Sequence, residues 1–141
     1  RTVGIDSAAF VLRDGSGLSS ANLITPHALV QLLAFARTMP ESAVVREALP
    51  VSGQPGSLRT RLTDLGGRVA AKTGYIYHTD ALSGYLTLDD GRELIFSIIA
   101  NASGSPSAQV KAAIDDIVRA VAASGAHAER AETTEKEGRG W

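Results

Sequence analysis

At 141 residues, 44% hydrophobic and 21% charged, the chain can close one hydrophobic core but is short for two, which points to a single globular unit. Its 14 basic and 15 acidic residues leave a net charge of −1, so it has no broad basic field to neutralise phosphates; nucleic acid is disfavoured as a partner, and a small molecule or a protein is favoured. The absence of cysteine excludes a disulfide framework and thiolate metal sites.

No stretch approaches the roughly 18 to 20 apolar residues of a membrane span, and residues 1–4 do not make a signal peptide. The chain is therefore expected to be soluble, or to have its targeting segment upstream. In chain order, residues 9–12 read as a strand that stops at the turn formers Asp14-Gly15-Ser16-Gly17. Thr25 followed by Pro26 reads as an N-cap with proline at the first helical position. Leu29, Leu32, Leu33 and Ala36 then recur with helical spacing, predicting a helix over 26–39.

A short helix is expected over 41–48, before Pro50, Gly53, Pro55 and Gly56 interrupt regular structure. Residues 58–65 add a turn or two of helix. A strand over 68–73 is expected to end in Lys72-Thr73-Gly74. Strands over 81–88 and 93–100, joined through Asp89-Asp90-Gly91, should form an antiparallel hairpin. The run from Leu94 to Ala100 is nearly all apolar, which fits a strand covered on both faces. Val110, Ala113, Ile114, Ile117, Val118 and Val121 form a helical stripe, so a helix over 106–123 can supply one cover. Residues 1–125 are thus read as the folded portion. Residues 126–141 are charged, contain glycine and are poor in apolar residues, and are expected to be a disordered tail.

The tripeptide Lys72-Thr73-Gly74 carries the most chemistry. An ammonium and a hydroxyl on a strand can engage a substrate carboxylate, and glycine lets backbone approach closely. Taken alone, the triplet reads as an ordinary strand end. It also stands with S-x-x-K and S-D-N in the signature of penicillin-recognising serine enzymes. Here it sits on a strand that opens a three-strand meander closed by a helix.

Around it stand Asp14-Gly15-Ser16-Gly17-Leu18-Ser19, Asn22, Thr25-Pro26, Leu49-Pro50-Val51-Ser52-Gly53, Gly56-Ser57-Leu58 and Arg61, then Ala81-Leu82-Ser83-Gly84-Tyr85 and Asn101. In order and spacing these residues resemble the C-terminal part of the low-molecular-mass class C penicillin-binding proteins, the D-alanyl-D-alanine carboxypeptidase/endopeptidase family S13. The resemblance spans about residues 13–101. It implies a partial domain of the α/β (α+β) sandwich of the penicillin-recognising serine transpeptidase/β-lactamase type, an antiparallel sheet with covering helices.

The resemblance further implies a serine acyl-transfer enzyme of peptidoglycan metabolism, placed in the periplasm or on the cell-wall side of the membrane. Stem peptides and β-lactams would be its ligands, and it would need no metal or other cofactor. Lys72 would hold positive potential beside the active-site serines and help bind the substrate carboxylate. Thr73 would hydrogen-bond that carboxylate, Gly74 would let the strand edge approach, and the backbone N–H of Tyr75 would be one oxyanion-hole donor. The other donor would be the nucleophile's own N–H.

Two departures stand out. Members of this family usually carry threonine or serine directly after K-T-G, where this chain has Tyr75, so only the backbone role carries over. Tyr75, Tyr77 and His78 either reshape the acceptor side of the site or pack over the sheet end. Secondly, the chain contains no S-x-x-K, the pairing of a serine nucleophile with an activating lysine one helical turn on. Ser107 precedes Lys111 by four residues, the wrong spacing. Ser20-Ala21-Asn22 matches S-x-N, but the family carries that motif well upstream of Asp-Gly-Ser-Gly-Leu-Ser, so the match reads as accidental.

Nucleophile and S-x-N are therefore expected in an N-terminal segment or companion chain, and this chain alone is expected to be inactive. An unpaired, apolar sheet face or edge should mark the missing part. Asp14 to Ser19 reads as structural, and His27, His78 and His127 do not have metal-site spacing. Two rival readings remain: a non-catalytic fragment that binds peptidoglycan peptides or a partner, and a serine β-lactamase relative, which would share K-T-G but not the Asp-Gly-Ser-Gly-Leu-Ser and Leu-Pro-x-x-Gly elements.

Overall fold

The computed structural model describes the backbone of residues 3–137 and the side chains of residues 3–124. Two short strands, β1 (Phe10–Val11) and β2 (Leu23–Ile24), pair antiparallel through Phe10↔Ile24 and Val11↔Leu23. They clasp the loop that contains Asp14 to Ser19. Helix α1 (Pro26–Ala36) starts as its sequence dictates. Thr25 takes extended backbone angles, its Oγ1 accepts from the Ala28 N–H at 3.2 Å, and Pro26 fills the first position, where no backbone donor is needed. Helix α2 (Ser42–Glu47) follows after one turn.

The main sheet is a meander of β3 (Val69–Ile76), β4 (Thr79–Thr87) and β5 (Glu93–Asn101), in that order. Its register sorts the side chains into two faces. Rows such as Val69–Leu86–Leu94 and Thr73–Leu82–Ile98 alternate with rows such as Ala70–Tyr85–Ile95 and Lys72–Ser83–Ser97. The first set packs beneath helix α3 (Ser107–Glu137), whose Val110, Ile114, Val118 and Ala122 meet Val69, Ala71, Leu82, Leu86 and Leu88. Leu58, Leu62 and Leu65 complete this core. The second set faces α1, to which it is tied by the Tyr85 hydroxyl donating to the Leu33 carbonyl at 2.9 Å.

Gly84 permits the closest backbone approach in the sheet. A Cβ there would lie 2.2 Å from the Ala70 carbonyl oxygen and 2.5 Å from the Ala71 Cα, so no side chain fits. A second anchor is ionic. Arg61 holds Asp115 of α3 through Nη2–Oδ1 at 2.6 Å and Nε–Oδ2 at 3.1 Å, with both side chains largely buried. Fork and carboxylate satisfy one another, which offsets the cost of removing both charges from water.

The structure departs from expectation in four places. Strand β2 went unread. Strand β3 does not stop at Lys72-Thr73-Gly74 but continues through Tyr75 and Ile76, so the triplet lies within the strand, its pairing with β4 outweighing the glycine. Strand β5, though apolar, is only half-buried from Glu93 to Ala100: α1 packs on one face, Leu94, Phe96, Ile98 and Ala100 lie at the margin of the core on the other, and among the described residues no strand pairs with its outer edge. Helix α3 passes residue 125 without a break and reaches Glu137, where a disordered tail had been expected. A helical glycine costs only about 1 kcal/mol against alanine, and the alanines, glutamates, arginine and lysine that follow Gly125 are good helix formers. Residues 138–141 of that expected tail lie outside the described residues. No described helix is long and apolar enough to cross a membrane.

Candidate active site

The edge of β3 that faces away from β4 is covered over its first half and open over its second. Segment 50–52 does the covering. The Ala71 N–H donates to the Pro50 carbonyl at 2.9 Å, the Ser52 N–H to the Val69 carbonyl at 2.9 Å, and Val51 bridges to Ala70. The Val69 N–H reaches the buried Ser52 hydroxyl at 3.4 Å. This cover ends where Lys72-Thr73-Gly74 begins.

In an antiparallel ladder, alternate residues turn both backbone groups to the same side. Val69 and Ala71 turn theirs outward, so Thr73 and Tyr75 do so as well, and their N–H groups have no partner among the described residues. The edge therefore offers two outward backbone donors beside an ammonium. Lys72 is exposed, and its Nζ donates to the Thr73 carbonyl at 2.6 Å. Behind it in the same row, the Ser83 and Ser97 hydroxyls share a hydrogen bond of 2.8 Å. A Cβ at Gly74 would press on the Ala81 Cβ at 3.2 Å.

A groove of about 520 Å³ runs along this end of the sheet. One wall is Gly74, Tyr75, Ile76, Thr79, Ala81, Ile99 and Asn101; the other is the β1–β2 clasp with Gly17, Ser20 and Asn22. That second wall is held by a single carboxylate. Asp14 accepts from the Ser16 hydroxyl at 2.6 Å, the Asn22 amide at 2.7 Å, and the Gly17 and Ser19 N–H groups at 3.2 Å each. These bonds, those of Ser16 and Asn22 foremost, hold its carboxyl below the usual carboxylate range. Asn22 returns its Oδ1 to the Arg13 N–H at 2.7 Å, so its amide is engaged in the loop at both ends.

The three aromatic residues after K-T-G do not act as one group. Tyr75 begins a row on the α3 side, and Lys111 Nζ sits 5.0 Å from its ring centroid. Lys111 is in turn 3.6 Å from Asp80 Oδ1, which accepts from the Ser107 hydroxyl at 2.8 Å. The unsuitably spaced Ser107 and Lys111 are thus both engaged by Asp80. Tyr77 and His78 make the two-residue loop between β3 and β4. Tyr77 is 83% exposed and its ring meets the His78 ring edge-on, while His78 takes a left-handed φ of 58° and its Nδ1 donates to the Ser103 carbonyl at 3.1 Å. Among the described residues there is no cluster of histidine, aspartate and glutamate arranged to hold a metal ion.

Known proteins resemble the chain over most of its length. Residues 1–121 match the family described as D-Ala-D-Ala carboxypeptidase 3 (S13). The chain belongs to that family. Over 112 residues it is 41% identical to the D-alanyl-D-alanine carboxypeptidase of Actinomadura sp. (strain R39), covering 74% of this chain and 21% of that protein. It is 38% identical to the carboxypeptidase DacB of Mycolicibacterium smegmatis (strain ATCC 700084 / mc(2)155) over 112 residues, 74% of this chain and 24% of the relative.

The crystal structure of penicillin binding protein 4 (dacB) from Haemophilus influenzae superposes with a TM-score of 0.63 at 28% identity, over 74% of this chain and 24% of that one. The match falls in the C-terminal part of that protein. The fold is accordingly a partial domain of the α/β penicillin-binding type. The chain spans about a quarter of the length of these relatives.

The motif Lys72-Thr73-Gly74 lies on the open half of the β3 edge. What it did not locate were Ser83 and Ser97 behind Lys72, the Asp80–Lys111 pair behind Tyr75, and the clasped loop that forms the second wall. The only sequence signal for these is the register, since a serine two strands from a lysine becomes its neighbour only once both turns are placed.

Proposed function

We propose that this chain supplies the carboxylate-binding and oxyanion side of a serine D-Ala-D-Ala carboxypeptidase or endopeptidase site, with the nucleophile and S-x-N elements lying outside it. The observation that carries this reading is the open half of the β3 edge. An exposed ammonium, a hydroxyl and an outward N–H follow one another along the strand from the point where segment 50–52 stops covering it, leading to a groove that begins at Gly74.

A peptide laid along this edge would place its terminal carboxylate near Lys72 and Thr73 and its scissile carbonyl near the Tyr75 N–H. Charge-assisted bonds to a carboxylate are roughly twice as strong as neutral ones, and the Lys72 ammonium supplies that charge. A serine hydroxyl, its proton taken by a paired lysine, would bond to the carbonyl carbon. The oxygen's negative charge would develop opposite the Tyr75 N–H. Collapse would break the C–N bond, the departing amine taking the proton that the serine gave up, and water would then cleave the ester to regenerate the serine.

A strained β-lactam amide would be opened the same way and leave a penicilloyl-type ester. The solved Haemophilus influenzae relative also exists as a complex with a novel beta-lactam. The substrate being peptidoglycan, the site would work outside the cytoplasmic membrane, in the periplasm or on the cell-wall side. The family's non-catalytic reading keeps the same groove but turns nothing over.

The test is covalent labelling of the whole protein by a fluorescent penicillin. Thr73→Val, which removes the hydroxyl at nearly constant volume, is expected to slow acylation about 10- to 100-fold, the value of one hydrogen bond to a charged group. Labelling of Thr73→Val at the parent rate would refute the assignment of the carboxylate site. A whole protein that binds stem peptide without any labelling or release of D-alanine would establish the non-catalytic reading instead.

A further inference from the structure

We infer that Lys111 is a positioning residue for the oxyanion donor, acting through the ring of Tyr75. This rests on the carboxypeptidase reading and adds to it a part that the family motif does not contain, because the residue after K-T-G is aromatic here. The backbone of Tyr75 faces the groove, while its side chain turns to the opposite side of the sheet. Tyr75 is 61% exposed, so packing alone does not fix its ring.

What holds it is a short chain of charges. Lys111 Nζ lies 5.0 Å from the ring centroid, within the range of cation–π attraction. Asp80, directly across the ladder from Tyr75 and only 4% exposed, keeps that ammonium 3.6 Å from its Oδ1. Ser107 Oγ, one helical turn before Lys111, fixes the same carboxylate oxygen at 2.8 Å.

The location gives the clamp its leverage. Tyr75 is paired on one side only, and the next residue, Ile76, closes the ladder before the exposed Tyr77–His78 loop. A peptide near the end of an edge strand has little else to set its angle, and oxyanion stabilisation depends on a donor oriented before charge develops. Anchoring the Tyr75 ring to α3 ties that peptide to the most deeply packed helix of the fold.

The experiment is a double-mutant cycle on the whole protein, reading the second-order rate of acylation by benzylpenicillin. Lys111→Met keeps the aliphatic stem and removes the charge. With Tyr75 present, it is expected to slow acylation about two- to fivefold, the span that an exposed cation–π contact supplies. In a Tyr75→Thr background the same substitution is expected to leave the rate unchanged, and Tyr75→Phe is expected to retain the coupling because the ring face remains.

Any general loss of stability from uncovering Asp80 enters every background equally, and thermal melts of each protein measure it. Equal slowing in both backgrounds, or none in either, would overturn the inference while leaving the carboxypeptidase reading intact. A parent protein that is not acylated at all would overturn both.

Discussion

The two faces of the β3–β5 sheet differ in kind. On the α3 side, Val69, Ala71, Leu82 and Leu86 are at most 1% exposed and pack in one apolar cluster with residues of α3 and with Leu58, Leu62 and Leu65. On the α1 side, the central row of the same strands is Lys72, Ser83 and Ser97, and the row beside it is Gly74, Ala81 and Ile99. One face is spent on burial. The other carries an ammonium, two hydroxyls and a groove, supported by strands that the first face holds in place. The comparison teaches that site geometry here is a by-product of packing on the reverse side. Polar groups at the edge of a three-stranded meander cannot hold themselves, and each has its position set by an apolar neighbour one residue away.

Substitutions deep in the α3-side core and at the open end of the β3 edge should therefore separate. Leu86→Ala, far along the ladder from Gly74, is expected to destabilise the fold by about 2–5 kcal/mol, through lost transfer energy and the cavity left behind. Denaturant unfolding measures the loss, and acylation per folded molecule should stay near the parent value. A large fall in that specific rate would break the division between core and edge. Thr73→Val, on the same face as Leu86 but at the uncovered end of the β3 edge, should do the reverse, slowing acylation with little effect on stability.

A smaller effect belongs to the clasped loop. Asp14 has its carboxyl lowered in the folded chain by Ser16, Asn22 and the backbone N–H groups of Gly17 and Ser19. The folded value lies below the unfolded one, so the unfolded chain takes up its proton first as the solution is acidified. The contribution of Asp14 to stability is complete above the ordinary carboxylate range and is lost as pH falls through the lowered value. Asp14→Asn should accordingly lower stability at neutral pH and flatten the acid limb of the stability profile, with no change of slope above about pH 5. An unchanged acid limb would show that the loop draws nothing from that charge.

Much of this was legible in the chain. Thr25-Pro26 marked the start of α1, the turn formers Asp89-Asp90-Gly91 between two strand-like runs marked the β4–β5 hairpin, and the stripe from Val110 to Val121 marked the cover. K-T-G falls on β3, the strand on which the proposed site rests. Strand β2 escaped because two residues carry no periodicity, and their pairing with Phe10 and Val11 is a long-range event. Gly74 reads as punctuation in a sequence, yet the strand runs through it because β4 continues to supply partners as far as Thr79. The hydroxyl pair behind Lys72 and the charge pair behind Tyr75 were invisible for the same reason: they are consequences of register, which no single segment encodes.

The central claim is that the open edge of β3 receives the substrate carboxylate and the Tyr75 N–H receives the developing oxyanion. The most direct measurement is a crystal structure of the whole protein acylated by benzylpenicillin. The account predicts the thiazolidine carboxylate within hydrogen-bond distance of Thr73 Oγ1 and Lys72 Nζ, and the ester carbonyl oxygen within about 3 Å of the Tyr75 nitrogen. An adduct whose carboxylate lies away from β3, or whose carbonyl oxygen takes its donors from other residues, would contradict it.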